Sequence, residues 1–248
     1  ALVTGVPLGM LIGQHFGWRA TFLVVSVLGV IALIGSALLV PSNLKQAAPA
    51  RISTQLKVLT QPRLLLVYGI TAVGYGGTFI AFTFLATILQ QVSGFQSSAI
   101  AGIMLVYGVS VTIGNIWGGK LADKMGPVKA LNIIFAALAL VLLVFTFTAS
   151  SQIGALLTVF VWGAFAFGNV PGLQVYVVQL AKEYTPEAVD VASGLNIAAF
   201  NIGIAIGAWL GGHVVADMSL MDTPWIGAII VVLALLMFGI TLSMFSII

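Results

Sequence analysis

Long apolar runs separated by short polar islands set the pattern of this chain. Apolar stretches fill residues 20–40, 64–92, 99–117, 128–148, 153–180, 189–214 and 225–247. Each is long enough for a helix to cross ~30 Å of hydrocarbon at ~1.5 Å per residue. The opening stretch 1–13 is apolar but too short, and it reads as the second half of a span whose first half precedes it. The connections are QHFGWR, SGFQSS, GGKLADKMGPVKAL, ASSQ, AKEYTPEA and ADMSLMDTP. Turns this short between such spans predict an all-α, polytopic, antiparallel helical bundle in a membrane. The longest polar segment, 41–63, carries three prolines and reads as a linker between two halves. Its 53–61 portion predicts a short amphipathic helix at the membrane surface.

Composition sharpens this picture. Hydrophobic residues make up 60% of the chain and mean hydropathy is +1.18, more apolar surface than a soluble core can hide. Cysteine is absent, which removes disulfides and thiolate metal sites. The net charge of +3 does not point to nucleic acid, because the basic residues lie between apolar runs and form no stripe. With spans alternating in direction, Lys45, Arg51, Lys57, Arg63, Lys120, Lys124, Lys129 and Lys182 share one side and Arg19 lies on the other. The positive-inside rule then makes the 41–63 linker cytoplasmic, and Trp18 an interfacial anchor on the far side. The island 118–131 is read as a cytoplasmic turn, with Gly118, Gly119, Gly126 and Pro127 interrupting helix on both sides of its charges. The chain opens at Ala1 in apolar sequence without a charged leader, which suggests a cut or partial chain.

Three motifs carry a family resemblance. GKLADKMGPVK at 119–129 resembles the loop signature of the major facilitator superfamily in Gly119, Asp123, Lys124 and Gly126. TGVPLGMLIGQHFGWRATF at 4–22 resembles the antiporter signature of that superfamily's fifth span in Gly5, Pro7, Gly9 and Gly13. Independently of the family, Gly5, Gly9 and Gly13 form one smooth helix face, and Pro7 is expected to bend the helix. NIAAFNIGIAIGAWLGGHV at 196–214 resembles the eleventh span of the drug and sugar efflux branch. The resemblance implies a major facilitator bundle running from part of span five to span twelve. Residues 1–40 would end the N-terminal half, 41–63 would be the linker and 64–248 the C-terminal half. It further implies a proton-coupled antiporter in a bacterial inner membrane, rocking two six-helix halves about a midplane site. Its missing partner would be the N-terminal half of the same protein. Asp123 would lock the cytoplasmic side against a facing helix terminus.

Chemistry within the spans is uncharged. No Asp, Glu, Lys or Arg occupies the middle of a span, so a proton-titrating carboxylate is expected in the absent half. His213, at a span end, is the one nearby alternative, and an interfacial role also suits it. Tyr68, Thr71, Tyr75, Thr78, Phe79 and Phe82 fall on one helix face, as do Trp162, Phe165, Asn169, Tyr176 and Gln179. Such groups suit a cavity for an amphipathic organic solute, or hydrogen-bonded packing between helices. Asn115, Asn196 and Asn201 are expected to be buried amides, as interhelical glue or substrate contacts. Gly203, Gly207 and Gly211, and likewise Ala164, Gly168 and Gly172 beside Pro171, form small-residue stripes for close packing.

No HExxH, GxSxG or P-loop spacing occurs, and His15 and His213 are the only histidines. No enzyme activity, cofactor or metal is therefore expected. The expected function is efflux of a small organic compound, a drug, sugar or nucleoside, with protons and the lipid bilayer as partners. The alternative is a non-transporting sensor or assembly subunit on the same fold.

Overall fold

A computed structural model describes residues 5–40 and 55–245. The helices are α1 (Gly5–Phe16), α2 (Trp18–Leu39), α3 (Pro62–Phe82), α4 (Leu85–Gln91), α5 (Ser97–Met125), α6 (Pro127–Thr148), α7 (Gln152–Tyr184), α8 (Val189–Asp217) and α9 (Asp222–Phe245). Among the described residues, seven helical segments have the length and hydropathy to cross a membrane. They coincide with the seven full-length apolar runs of the sequence. Proline opens α3 and α6, where its missing N–H costs nothing. Ser151 caps α7, its hydroxyl accepting from the Gly154 N–H at 3.3 Å.

Two boundaries differ from the sequence expectation. The run 99–117 does not end at Trp117. α5 continues two turns through Gly118 and Gly119 to Met125, and the expected turn shrinks to Gly126 at φ +83°. Gly118 interrupts nothing; it lies buried against α7, so its missing side chain serves packing. The run 64–92 is not one helix either. It breaks at Thr83 and Phe84, where neither Gly nor Pro stands. The Thr83 hydroxyl donates to Phe79 O at 2.8 Å, a back-bond that loosens the following turn. Of the stretch expected to form an amphipathic surface helix, Gln55 and Leu56 are α-helical and Lys57–Thr60 form a 3-10 turn; residues 41–54 lie outside the described chain.

Successive spans run antiparallel, but apart from α6 with α7 the main packing partners are not consecutive. α3 packs on α8 and α9, α7 packs on α5 and α6, and α6 meets α9. Exchanging α3 with α7, α5 with α8 and α6 with α9 maps α3–α8 onto α5–α7 and α3–α9 onto α6–α7, and leaves α6–α9 unchanged. The six helices are therefore two copies of a three-helix unit. An odd number of spans per unit makes the copies inverted relative to the membrane.

The two equivalent seams, α5–α7 and α3–α8, join parallel helices through glycine. A Cβ added at Gly114 or Gly118 would collide with the backbone of Ala164 or Gly168. One added at Gly203, Gly207 or Gly211 would strike the backbone of Ala72, Gly76 or Ile80. The small-residue stripes of the sequence are thus contact lines at which backbones touch. Around them lies a core that includes Phe135, Phe145, Trp162, Leu173 and Phe238.

The outer surface is apolar. α2 buries no residue, and Leu140, Phe147 and Trp209 are 60%, 76% and 64% exposed. Lipid is the solvent that such a surface fits. At one end, the Arg63 guanidinium sits 4.6 Å above the Tyr184 ring, joining the start of α3 to the end of α7. At the other, the Ser93 hydroxyl donates to Ala149 O at 2.6 Å, and Gln152 Nε2 donates to Gly94 O at 3.1 Å.

Candidate functional site

The interior of the bundle holds two polar features, stacked along α3. The first joins three helices near the end where α3 and α8 begin. Tyr68 OH donates to Ala192 O at 3.1 Å, and Thr71 Oγ1 donates to Asn196 Oδ1 at 2.8 Å. The Asn196 amide then donates to Gln174 Oε1 at 3.1 Å, and Gln174 Nε2 donates to the Ser193 hydroxyl. Thr71 and Asn196 are fully buried. One turn of α3 presents Tyr68 and Thr71 on the same face, and one turn of α8 presents Ala192, Ser193 and Asn196. The clasp sits beside the α3–α8 glycine seam, where the backbones are close enough for such short side chains to reach.

Further along α3 lies an aromatic cluster. Tyr75 stands edge-on to Phe200 at 4.3 Å and to Phe167 at 5.8 Å, and its ring stacks with Phe79 at 6.3 Å. Phe79 leads to Phe82 at 5.1 Å, and Phe82 to Tyr107 at 5.0 Å. Trp162 closes the group, 6.1 Å from Tyr107 and 5.5 Å from Phe145. Phe79 and Phe82 are half-buried; Tyr75, Tyr107 and Trp162 are buried.

Within this interior the Tyr75, Tyr107 and Tyr176 hydroxyls, Trp162 Nε1 and Asn169 Oδ1 are buried without a hydrogen-bond partner among the described residues. A buried polar atom left unpaired costs ~1–3 kcal/mol, so the interior holds hydrogen-bonding capacity that packing leaves unused. Removing such an atom should not destabilise the protein. Tyr107→Phe is expected to leave the melting temperature unchanged or to raise it, by up to ~1 kcal/mol in stability. A loss of more than that in a detergent melt would show that the hydroxyl has a structural partner.

The structure brings most of the sequence-selected groups together. Tyr68, Thr71 and Asn196 form the clasp; Tyr75, Phe79 and Trp162 belong to the aromatic cluster; Asn169 and Tyr176 are buried further along α7. Thr78 bonds within its own helix, to Gly74 O. Phe165 instead meets Trp117 at 5.6 Å, and Gln179 is exposed, so the expected single face of α7 divides. Of the three amides expected to be buried, only Asn196 is. Asn115 is half-buried and bonds to Val111 O within its helix, and Asn201 is exposed and bonds to Ile197 O. Both satisfy themselves locally, the usual escape for a lone amide on a helix.

Sequence reasoning missed Gln174, Ser193 and Tyr107. Gln174 lies about 120° around α7 from Trp162, outside the face that was followed. Its signal was available, as an amide well inside an apolar run.

The remaining motif residues lie at the margins. Gly119 is half-buried, 3.6 Å from Pro171 by its would-be Cβ, and Asp123 and Lys124 are exposed in the last turns of α5. Asp123 bonds to no other described residue. In α1, Gly9 and Gly13 face Thr21 of α2, whose hydroxyl donates to Gly9 O at 3.2 Å. Gly5 is exposed, and the buried Pro7 falls in the first described turn. α1 also packs on α5. His15 caps the carbonyl of Leu11, while the exposed His213 stands edge-on to Trp209 at 4.6 Å. No cluster of His, Cys, Asp or Glu fit to hold a metal ion occurs among the described residues.

An inverted pair of three-helix units, glycine seams and an uncharged polar interior define a polytopic helical membrane bundle. Residues 1–189 match the Major Facilitator Superfamily. The chain is 51% identical over 239 residues to the "uncharacterized MFS-type transporter YtbD" of Bacillus subtilis, covering 96% of this chain and 60% of that protein. It is 35% identical over 240 residues to the "inner membrane transport protein YdhP" of Escherichia coli, with 96% and 60% covered. It is 31% identical over 249 residues to a "probable sugar efflux transporter" of Mannheimia succiniciproducens, with 99% and 60% covered. The chain belongs to the Major Facilitator Superfamily and is a multi-pass membrane protein. It spans about 60% of the length of these relatives.

Proposed function

We propose that this chain is the C-terminal part of a secondary transporter that exports a small organic compound. Residues 1–40 close its N-terminal half, 41–63 link the halves on the cytoplasmic side, and 64–248 form the C-terminal half. Transport proceeds by rocking the halves about a midplane site in a bacterial inner membrane, driven by proton entry. The observation that carries this reading is the uncharged interior of α3, α5, α7 and α8. Aromatic rings, partnerless hydroxyl and indole groups and the unpaired Asn169 Oδ1, whose Nδ2 bonds to Ala166 O, gather there, inside a family of transporters. One relative named for sugar efflux supports the direction and the kind of solute. The substrate-facing candidates are Tyr75, Phe79, Trp162, Asn169 and Tyr176, with Tyr107 added by the structure; Asn115 is set aside by its local bond. Coupling to protons needs a titrating group, and mid-span positions in the described helices carry none, which supports a carboxylate in the other half.

The test is uptake by inverted vesicles containing the full-length protein. An imposed pH gradient should drive accumulation of at least one labelled sugar, nucleoside or lipophilic cation, and collapsing the gradient should release it. Absence of gradient-dependent flux across the panel would favour a sensor or assembly role. In the same vesicles Asp123→Asn should slow exchange several-fold and leave equilibrium substrate binding unchanged. Its exposed position at the end of α5 touches no part of the interior. Loss of binding with exchange intact would refute the locking role.

A further inference from the structure

Where α3 begins, the chain arrives along residues 55–61. Val58 is fully buried and pins this stretch to the bundle, while Leu56 and Leu59 beside it are 55% and 46% exposed. Leu65, in the first turn of α3, is 45% exposed. On a bundle with an apolar exterior, exposed leucines at this end suit the acyl region just beneath the headgroups. Lys57 stands between Leu56 and Val58. With Tyr184, Thr185, Pro186 and Glu187 at the α7–α8 corner it lines a cavity of about 200 Å³. That is the volume of roughly six or seven water molecules. Lys57 and Glu187 are both exposed residues of this lining, and they form no ion pair with each other. The Arg63 guanidinium, held on the Tyr184 ring, adds a second cation near the same corner.

A lysine and a glutamate that line one small cavity without pairing with each other match a ligand carrying both charges. Beside exposed leucines on an apolar bundle, the cavity would meet lipid at the depth of its phosphates. We propose that it holds the headgroup of an aminophospholipid, with its phosphate against Lys57 and its primary amine against Glu187. A headgroup with only negative charge meets Glu187 as a like charge. A choline headgroup has no N–H to give to the carboxylate. The bound lipid would clamp residues 55–61 to the α7–α8 corner, tying the entry of α3 to the lipid composition of that leaflet.

Native mass spectrometry of the delipidated full chain tests this, with phosphatidylethanolamine, phosphatidylglycerol and phosphatidylcholine supplied at equal concentration. Phosphatidylethanolamine should be retained about fivefold more than either of the others, the worth of roughly one charge contact at the surface. Lys57→Gln should lower its retention by a similar factor. Glu187→Gln should abolish the preference for phosphatidylethanolamine over phosphatidylglycerol by raising the latter. Lys129→Gln, on α6, should change nothing. The proposal is overturned if the unaltered protein retains phosphatidylglycerol or phosphatidylcholine equally well, or if Lys57→Gln retains phosphatidylethanolamine undiminished. In Glu187→Gln, a misfolded variant loses both lipids together. An unchanged preference, with both lipids still retained, removes the amine from Glu187.

Discussion

Gly118→Leu is expected to abolish the folded bundle. A side chain at this position enters the backbone of Gly168 on α7, with no flexible neighbour to move aside. The two helices would have to separate along the whole seam, and the Gly114–Ala164 contact one turn away would go with it. Even Gly118→Ala should cost ~1–3 kcal/mol, the usual penalty for overpacking, and more where backbone is the obstacle. Gly119→Ala is the matched control. Its Cβ would meet Pro171 at 3.6 Å, an ordinary contact, and alanine favours helix over glycine. Size-exclusion profiles and detergent melts of both variants decide the matter. A monodisperse Gly118→Leu protein melting like the parent would show that the α5–α7 seam is not as drawn. The inverted-repeat relation extends the expectation to Gly207 on α8, which approaches Gly76 in the same way.

The second large effect is expected at Asn196. Its side chain accepts from Thr71 and donates to Gln174, so one amide connects α3, α8 and α7. Asn196→Leu strands a buried hydroxyl and an amide oxygen at once. The expected loss is ~1–2 kcal/mol, above the average membrane hydrogen bond because two bonds go together. Thr71→Val alone should cost less, since Asn196 keeps Gln174. The Thr71→Val/Asn196→Leu pair should lose less than the sum of the single changes, because the stranded hydroxyl is gone. Strict additivity in that cycle would mean that the two side chains do not interact.

These two sites were not equally visible in the chain. Asn196 stood out because an amide inside an apolar run needs a reason, and Thr71 because it shares a helix face with Tyr68 and Tyr75. Neither could be paired with the other, since 125 residues separate them. Gly118 was misread. Next to Gly119 and a cluster of charges it looked like a helix terminator, although glycine inside a membrane helix more often marks close packing. The break at Thr83 carried no Gly or Pro, so the run looked continuous. Asn201 looked like Asn196 and differs only in which side of α8 it occupies.

Hydropathy alone determined the number of full-length spans among the described residues and their approximate extent, and the positions of the charges set the expectation of a single basic side. These follow from the length of helix that lipid demands and from where charge can rest. The tertiary structure decided which helices are partners: α3 with α8 and α5 with α7, parallel pairs far apart in sequence. In water, an apolar stripe on a helix points to its neighbour. In lipid every face is apolar, so no stripe names the partner; the choice falls to backbone fit and scattered hydrogen bonds, which exist only once the helices have met.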